Sequence, residues 1–199
     1  IFKRAVMAYA SLKRAVIIKG MFFYSDMSDA DLTGASLTWS DLSCANLTDA
    51  NLTRVMTLEA DLEGADLTQV IAEGAIFRRA NLTDANLQGA DLKLANLTEA
   101  NLTRADLSYA VMTLANLQGA DLTQANLTRA VLKLATLTGA DMTDAKLSGA
   151  DLTHASAEGA NLKGADLKRS NLKGADLTQA NLKGADLTHA SAEGADLTR

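Results

Sequence analysis

A period of five runs through this chain without an insertion or deletion. Every residue whose number is divisible by five, from Ala5 to Ala195, is Ala except Gly20, Ser25, Ser40, Val55, Val70 and Ser170. Two places later stands Leu, Met, Ile or Phe almost without fail. Neither regular element fits such a period. A helix repeats every 3.6 residues and a strand every two, so each would scatter these apolar residues over all its sides. A coil that turns a corner every five residues keeps them together. The small residue and the Leu then face inward and the other three face out. Ala suits the inward small slot because that slot lies where two walls meet, and a larger side chain would crowd its neighbours.

Composition agrees with many small identical packing units. Aromatic residues make up 4% of the chain, proline is absent, and Ala and Leu supply most of the 48% hydrophobic content. No linker breaks the register, so residues 1–199 are expected to form a single domain. Residues 1–25 keep the period through Phe2, Met7, Leu12, Ile17 and Phe22, but they also place Val6, Val16, Met21 and Phe23 in outward slots. These divergent N-terminal coils are expected to act as a cap.

The motif Ala-(Asp/Asn)-Leu-(Thr/Ser/Lys)-X is written out in Ala30–Gly34, Ala90–Leu94 and Ala175–Gln179. It resembles the pentapeptide-repeat proteins over essentially the whole chain. The resemblance implies an all-β fold, a right-handed quadrilateral β-helix of about ten coils with four pentapeptides each. Coils stacked at about 4.8 Å give a rod on the order of 50 Å long. Each central side chain then lies on the one twenty residues away, as Leu92, Met112 and Leu132 should.

Several positions depart from the pattern. Thr57 is a polar residue in a central slot, which predicts either a local distortion or a buried, hydrogen-bonded hydroxyl. Ala72, Ala157 and Ala192 fill central slots with a small side chain, which predicts a void or a local approach of the walls. The many glycines sit at the slot before Ala, where a tight turn needs positive φ.

No catalytic, cofactor-binding or metal-binding set assembles from the residue types present, and the chain is not expected to be an enzyme. Cys44 is the single cysteine, and His154 and His189 fall on different walls. Asp and Asn recur before the central residue, as in the column Asp41, Asp61, Asn81, Asn101, Asp121 and Asp141. They are expected to bond to nearby backbone and to one another. The formal charge is -5, with five bases and no acid before Ser25. From Ser25 to Ala145, seventeen Asp and Glu stand against seven Lys and Arg. The lone cysteine and the absence of a bilayer-length apolar run make the cytoplasm the expected location.

The most informative departure comes from counting by twenty. Leu94, Leu114 and Leu134 share one outward corner slot, and on the same wall Ile71, Val111 and Val131 replace the usual Asp or Asn. These six form a candidate protein-contact stripe, because a contiguous exposed apolar patch marks contact with something. Trp39 and Tyr109 occupy corner slots assigned to other walls. The expected function is a non-enzymatic structural or interaction protein that presents a rigid wall to a protein partner. Self-association, end to end or as a lateral dimer, is the other expected use of such surfaces. The family resemblance also implies an alternative, mimicry of DNA in binding and inhibiting DNA gyrase. Direct contact with nucleic acid or membrane is not expected, since Lys and Arg form no dominant stripe.

Overall fold

The structure, a computed structural model, describes residues 2–198; Ile1 and Arg199, with which the repeat pattern opens and closes, lie outside it. Parallel bridges join each residue before a central slot to its equivalent twenty positions later, from Val6–Asp26 to Asp176–Asp196. Four pentapeptides therefore close one coil, and the coils stack into a quadrilateral β-helix. We name the walls by their central residues. Wall A carries Phe2, Phe22, Leu42 and their successors to Leu182; wall B runs from Met7 to Leu187, wall C from Leu12 to Ala192, and wall D from Ile17 to Leu197.

A pentapeptide with Asp or Asn before its central residue finds a partner for all five of its N–H groups, as Ala30–Gly34 and the following Ala35 illustrate. Asp31 N–H donates backward to Ala10 O at 2.9 Å, and Leu32 and Gly34 N–H donate forward to Asn51 O and Thr53 O at 2.8 and 2.9 Å. Ala35 N–H closes the corner by donating to Leu32 O at 2.9 Å. The remaining donor, Thr33 N–H, has no backbone acceptor and donates to Asp31 Oδ1 at 3.1 Å. Thr33 Oγ1 donates to the same oxygen at 2.6 Å. The recurrence of Asp and Asn before the central residue thus has a specific cause: only a short side-chain acceptor at that slot reaches the N–H two places on.

The corners are type II turns, which require positive φ at their third residue. Every fifth residue from Arg4 to Gly194 has φ between +51° and +76°. Glycine relieves the strain at some of these, as the sequence implies, but Arg, Asp, Leu and aromatic residues hold the same conformation elsewhere. One corner is built differently. Between Ile17 and Gly20 the hydroxyl of Ser40, one coil further on, enters the turn. It accepts from Gly20 N–H at 2.9 Å and donates to Ile17 O at 3.0 Å. Gly20 has a second constraint, since a Cβ there would lie 2.4 Å from the Phe22 ring.

Inside, the central and small residues from Phe22 to Leu177 are almost all buried. Thr57 is buried on an undistorted wall, with its hydroxyl donating to Ile76 O at 3.0 Å. The hydrogen-bonded form of the expectation is therefore the one realised. Ala72 is fully buried, and the next wall of the same coil carries Phe77, also fully buried. A small and a large central residue in one coil keep its interior volume near that of an all-Leu coil.

Two predictions follow the hydroxyls and carboxylates. Ser40 and Ser170 occupy equivalent buried slots, but only Ser40 has partners; Ser170 Oγ has none. Ser170→Ala should stabilise the protein by about 1 kcal/mol and Ser40→Ala destabilise it by about 1–3 kcal/mol, read from urea denaturation midpoints. Asp31 and Asp186 are both held down to about 2, chiefly by the hydroxyls of Thr33 and Thr188. Their contribution is fully present above the usual carboxylate value of 3.8 and is lost as pH falls toward 2. Acid unfolding followed by circular dichroism should fall in that window, and Asp31→Asn with Asp186→Asn should weaken the pH dependence.

Candidate protein-contact wall

Wall C replaces the capping Asp or Asn by Val or Ile at three slots beside an apolar corner. Wall D departs at more slots, with Val16, Ser36, Met56, Ile76, Thr136 and Ser156, but no leucine ladder closes its own corner. The outward column of wall C before the central slot reads Asn51, Ile71, Asp91, Val111, Val131 and Asp151, joined coil to coil by parallel bridges. Val and Ile carry no acceptor. Among the described residues, Glu73, Thr113 and Lys133 N–H therefore lack the side-chain partner that Asn101 provides to Thr103 at 3.0 Å. Giving up this bond is a local loss of about 0.5–1.5 kcal/mol. Burial does not explain the exchange, for Ile71 is 48% exposed. Val111 and Val131 are half-buried on the outer surface.

The corner that closes wall C stacks Leu94, Leu114 and Leu134, which are 55%, 52% and 52% exposed. Val111, Val131 and these three leucines lie on three successive coils, while Ile71 stands apart below Asp91. The slot between the two apolar columns holds Lys93, Thr113 and Lys133. Both lysines are drawn aside. Lys93 Nζ pairs with Asp91 at 2.9 Å, and Lys133 Nζ with Asp151 at 3.2 Å. The Lys93 ammonium is held above its ordinary pKa, first by the hydrogen bond to Asp91.

The other edge of wall C is the corner it shares with wall B, and there the sequence reading missed a component. Tyr109 stands on that corner two residues before Val111, half-exposed, with the Arg129 guanidinium 5.9 Å from its ring centre. Assigning each corner to the wall before it concealed this neighbour. Trp39 lies on the corner after wall D, in a ladder where its indole N–H donates to Glu59 and Arg79 bridges Glu59 and Glu99. It belongs to corner packing away from wall C.

Charge is divided by wall. Between Ser25 and Ala145, walls A and B hold twelve of the seventeen carboxylates but only Arg104 and Arg129 of the seven bases. The excess of ten negative charges in this stretch thus lies on two adjacent walls, and walls C and D balance. On wall A, Arg104 donates to both Asp84 oxygens, at 2.7 and 2.6 Å, and holds that carboxyl below its usual value. His154 and His189 sit on different corners, and Cys44 is exposed. Among the described residues no group of three or more His, Cys, Asp or Glu is placed to hold a metal ion. Among the described residues no helix is long and apolar enough to cross a membrane.

The family model for pentapeptide repeats matches residues 22–56, 60–98, 95–133, 115–154, 145–184 and 160–199. The chain belongs to the pentapeptide-repeat family. Its quadrilateral β-helix is accordingly right-handed. HetL, a pentapeptide-repeat protein of the cyanobacterium Nostoc involved in heterocyst differentiation regulation, is 33% identical over 94% of this chain and 89% of its own, with a TM-score of 0.47. Rfr23 of the cyanobacterium Cyanothece is 31% identical over 56% of this chain and 87% of its own, at 0.53. A trypsin-treated variant of QnrB1, a plasmid-mediated fluoroquinolone resistance protein, is 19% identical over 92% of this chain and 90% of its own, at 0.50. No curated protein is significantly similar to the chain.

The wall makes a prediction about stability. Val111→Asn restores an acceptor for Thr113 N–H on the outer surface, and Val131→Asn does so for Lys133. Each should raise stability by up to about 1 kcal/mol in chemical denaturation of the isolated chain.

Proposed function

We propose that this pentapeptide-repeat protein is a non-enzymatic interaction protein that presents wall C to a protein partner. The observation that carries the reading is the exchange at Val111 and Val131. A capping acceptor is given up for apolar surface where the adjoining corner is also apolar and the lysines are folded away. Depletion of free charge around apolar and aromatic anchors is the composition of an interface core. Tyr109 and Arg129 add the two residue types most enriched at energetic hot spots. A stiff rod suits this role, because its face is formed before contact and little ordering is needed on binding. The cytoplasm, where a lone exposed cysteine stays reduced, is the compartment we assign to it.

The acidic pair of walls favours a second reading, mimicry of DNA toward DNA gyrase. The excess charge on walls A and B lies on the side of the rod away from the apolar corner, so the two readings predict different dependences. Binding through wall C should persist in 0.5 M salt, as roughly expected when the Debye length falls to a few ångströms. It should be lost in Leu114→Glu and kept in Gln124→Glu on the wall A corner. Retention of extract proteins on the immobilised variants measures this. Retention of gyrase that Leu114→Glu leaves intact, and that salt or the pair Asp121→Asn and Asp141→Asn removes, would replace the first reading with the second.

A further inference from the structure

The outward residues of wall C on the coils of Met112 and Leu132 are self-complementary when the wall is reversed, whereas one and two coils out Leu94 comes opposite His154 and Ile71 opposite Asn171. We infer that wall C is covered by a second copy of this chain, antiparallel, about a two-fold axis between the coils of Met112 and Leu132. This inference rests on reading wall C as a protein-contact face and names what that face contacts.

A two-fold axis lying in the interface and crossing the rods keeps each column opposite itself and reverses the order of coils. Placed midway between those two coils, it sets Val111 against Val131 of the second copy and Leu114 against Leu134, and the reverse by symmetry. Two coils further out, Glu73 meets Lys173 of the second copy, which within its own chain pairs with Glu193 at 3.5 Å. Beyond that, the coil of Arg54 meets the coil of Glu193. Opposite charges thus face each other on both flanks of an apolar centre. Asp91 and Asp151 also come opposite one another, but each is already paired with its own lysine, Lys93 or Lys133.

Long-range charge selects the same wall. Wall A, with seven carboxylates against Arg104 between Ser25 and Ala145, lies on the side of the coil opposite wall C. Pairing through wall C therefore keeps the two acidic faces of a dimer as far apart as the rods allow, whereas pairing through A or B would bring them together. The area is also adequate. The coils from Asn51 to Gly194 span eight layers, about 38 Å at strand spacing, and a five-residue wall is about 16 Å wide. Their product, roughly 600 Å² per copy, reaches the lower end of stable protein interfaces.

Sedimentation equilibrium of the full chain tests the pairing. The native protein should run at twice its 20.9 kDa chain mass. The double substitution Val111→Asn with Val131→Asn should run at the single-chain mass, while its denaturation midpoint is no lower than that of the Leu114→Glu single chain. Glu73→Lys and Lys173→Glu should each weaken the dimer about tenfold, since each acts twice in a symmetric pair. Mixing these two variants should restore native affinity, because only the mixed dimer has opposite charges at both contacts. A native protein of single-chain mass at every concentration would overturn the pairing. If Leu114→Glu still abolished retention of an extract protein, wall C would remain a contact face with a different occupant. A dimer that survives the Asn substitutions, or variants that do not rescue each other, would overturn the interface or its register.

Discussion

The structure depends on a single side-chain hydrogen bond repeated around the rod. Coil stacking and the type II corners satisfy four of the five N–H groups in each pentapeptide, and they leave the donor after the central residue facing outward. Asp or Asn two residues earlier supplies the acceptor, as Asp31 does for Thr33 and Asn101 for Thr103. The slot before Leu is therefore an outward position with a structural task. Where it holds Val or Ile, the substitution has a local cost, and the gain must lie elsewhere. Wall C concentrates such exchanges beside a leucine corner, which makes it the surface to interpret first.

The same regularity sorts charge. Because the coil closes after twenty residues, any bias tied to residue number modulo twenty becomes a face. The carboxylates of walls A and B become one acidic side of the rod, and the balanced walls C and D become the other. Part of the acidic stack is relieved by amides. Asn46, Asn81, Asn126 and Asn161 each donate to an Asp one coil below, at 3.0 to 3.2 Å. Alternating Asp with Asn lets the ladder cap its turns without stacking like charges throughout. The rod thus carries an acidic side and a charge-balanced side around one shared core.

Much of the fold was legible in the sequence because a five-residue register leaves few geometries that bury Leu on every turn. The stacking of Leu92 on Met112 and the hydrogen bond of Thr57 follow from position alone. The pairing of Ala72 with Phe77 was not seen, because the sequence was read down each column and volume is exchanged between columns of one coil. The Ser40 hydroxyl inside the turn of Ile17–Gly20 was equally hidden. The one sequence signal that separates Ser40 from Ser170, which fills an equivalent slot with no partner, is Gly20 one coil below Ser40, where Ser170 has Ala150. In the candidate wall, the six apolar residues were visible by counting. Tyr109 was missed because a corner belongs to both walls that meet there.

Amide hydrogen exchange resolved residue by residue reads the central hydrogen bond most directly. In the Leu114→Glu chain, which removes association from the measurement, Thr103 and Thr123 N–H should be protected by Asn101 and Asp121. Thr113 and Lys133 N–H, which follow Val111 and Val131, should exchange much faster. Equal protection at all four amides would mean that the side-chain acceptor does not hold the turn, and the case for wall C as a surface set apart by its sequence would lose its basis.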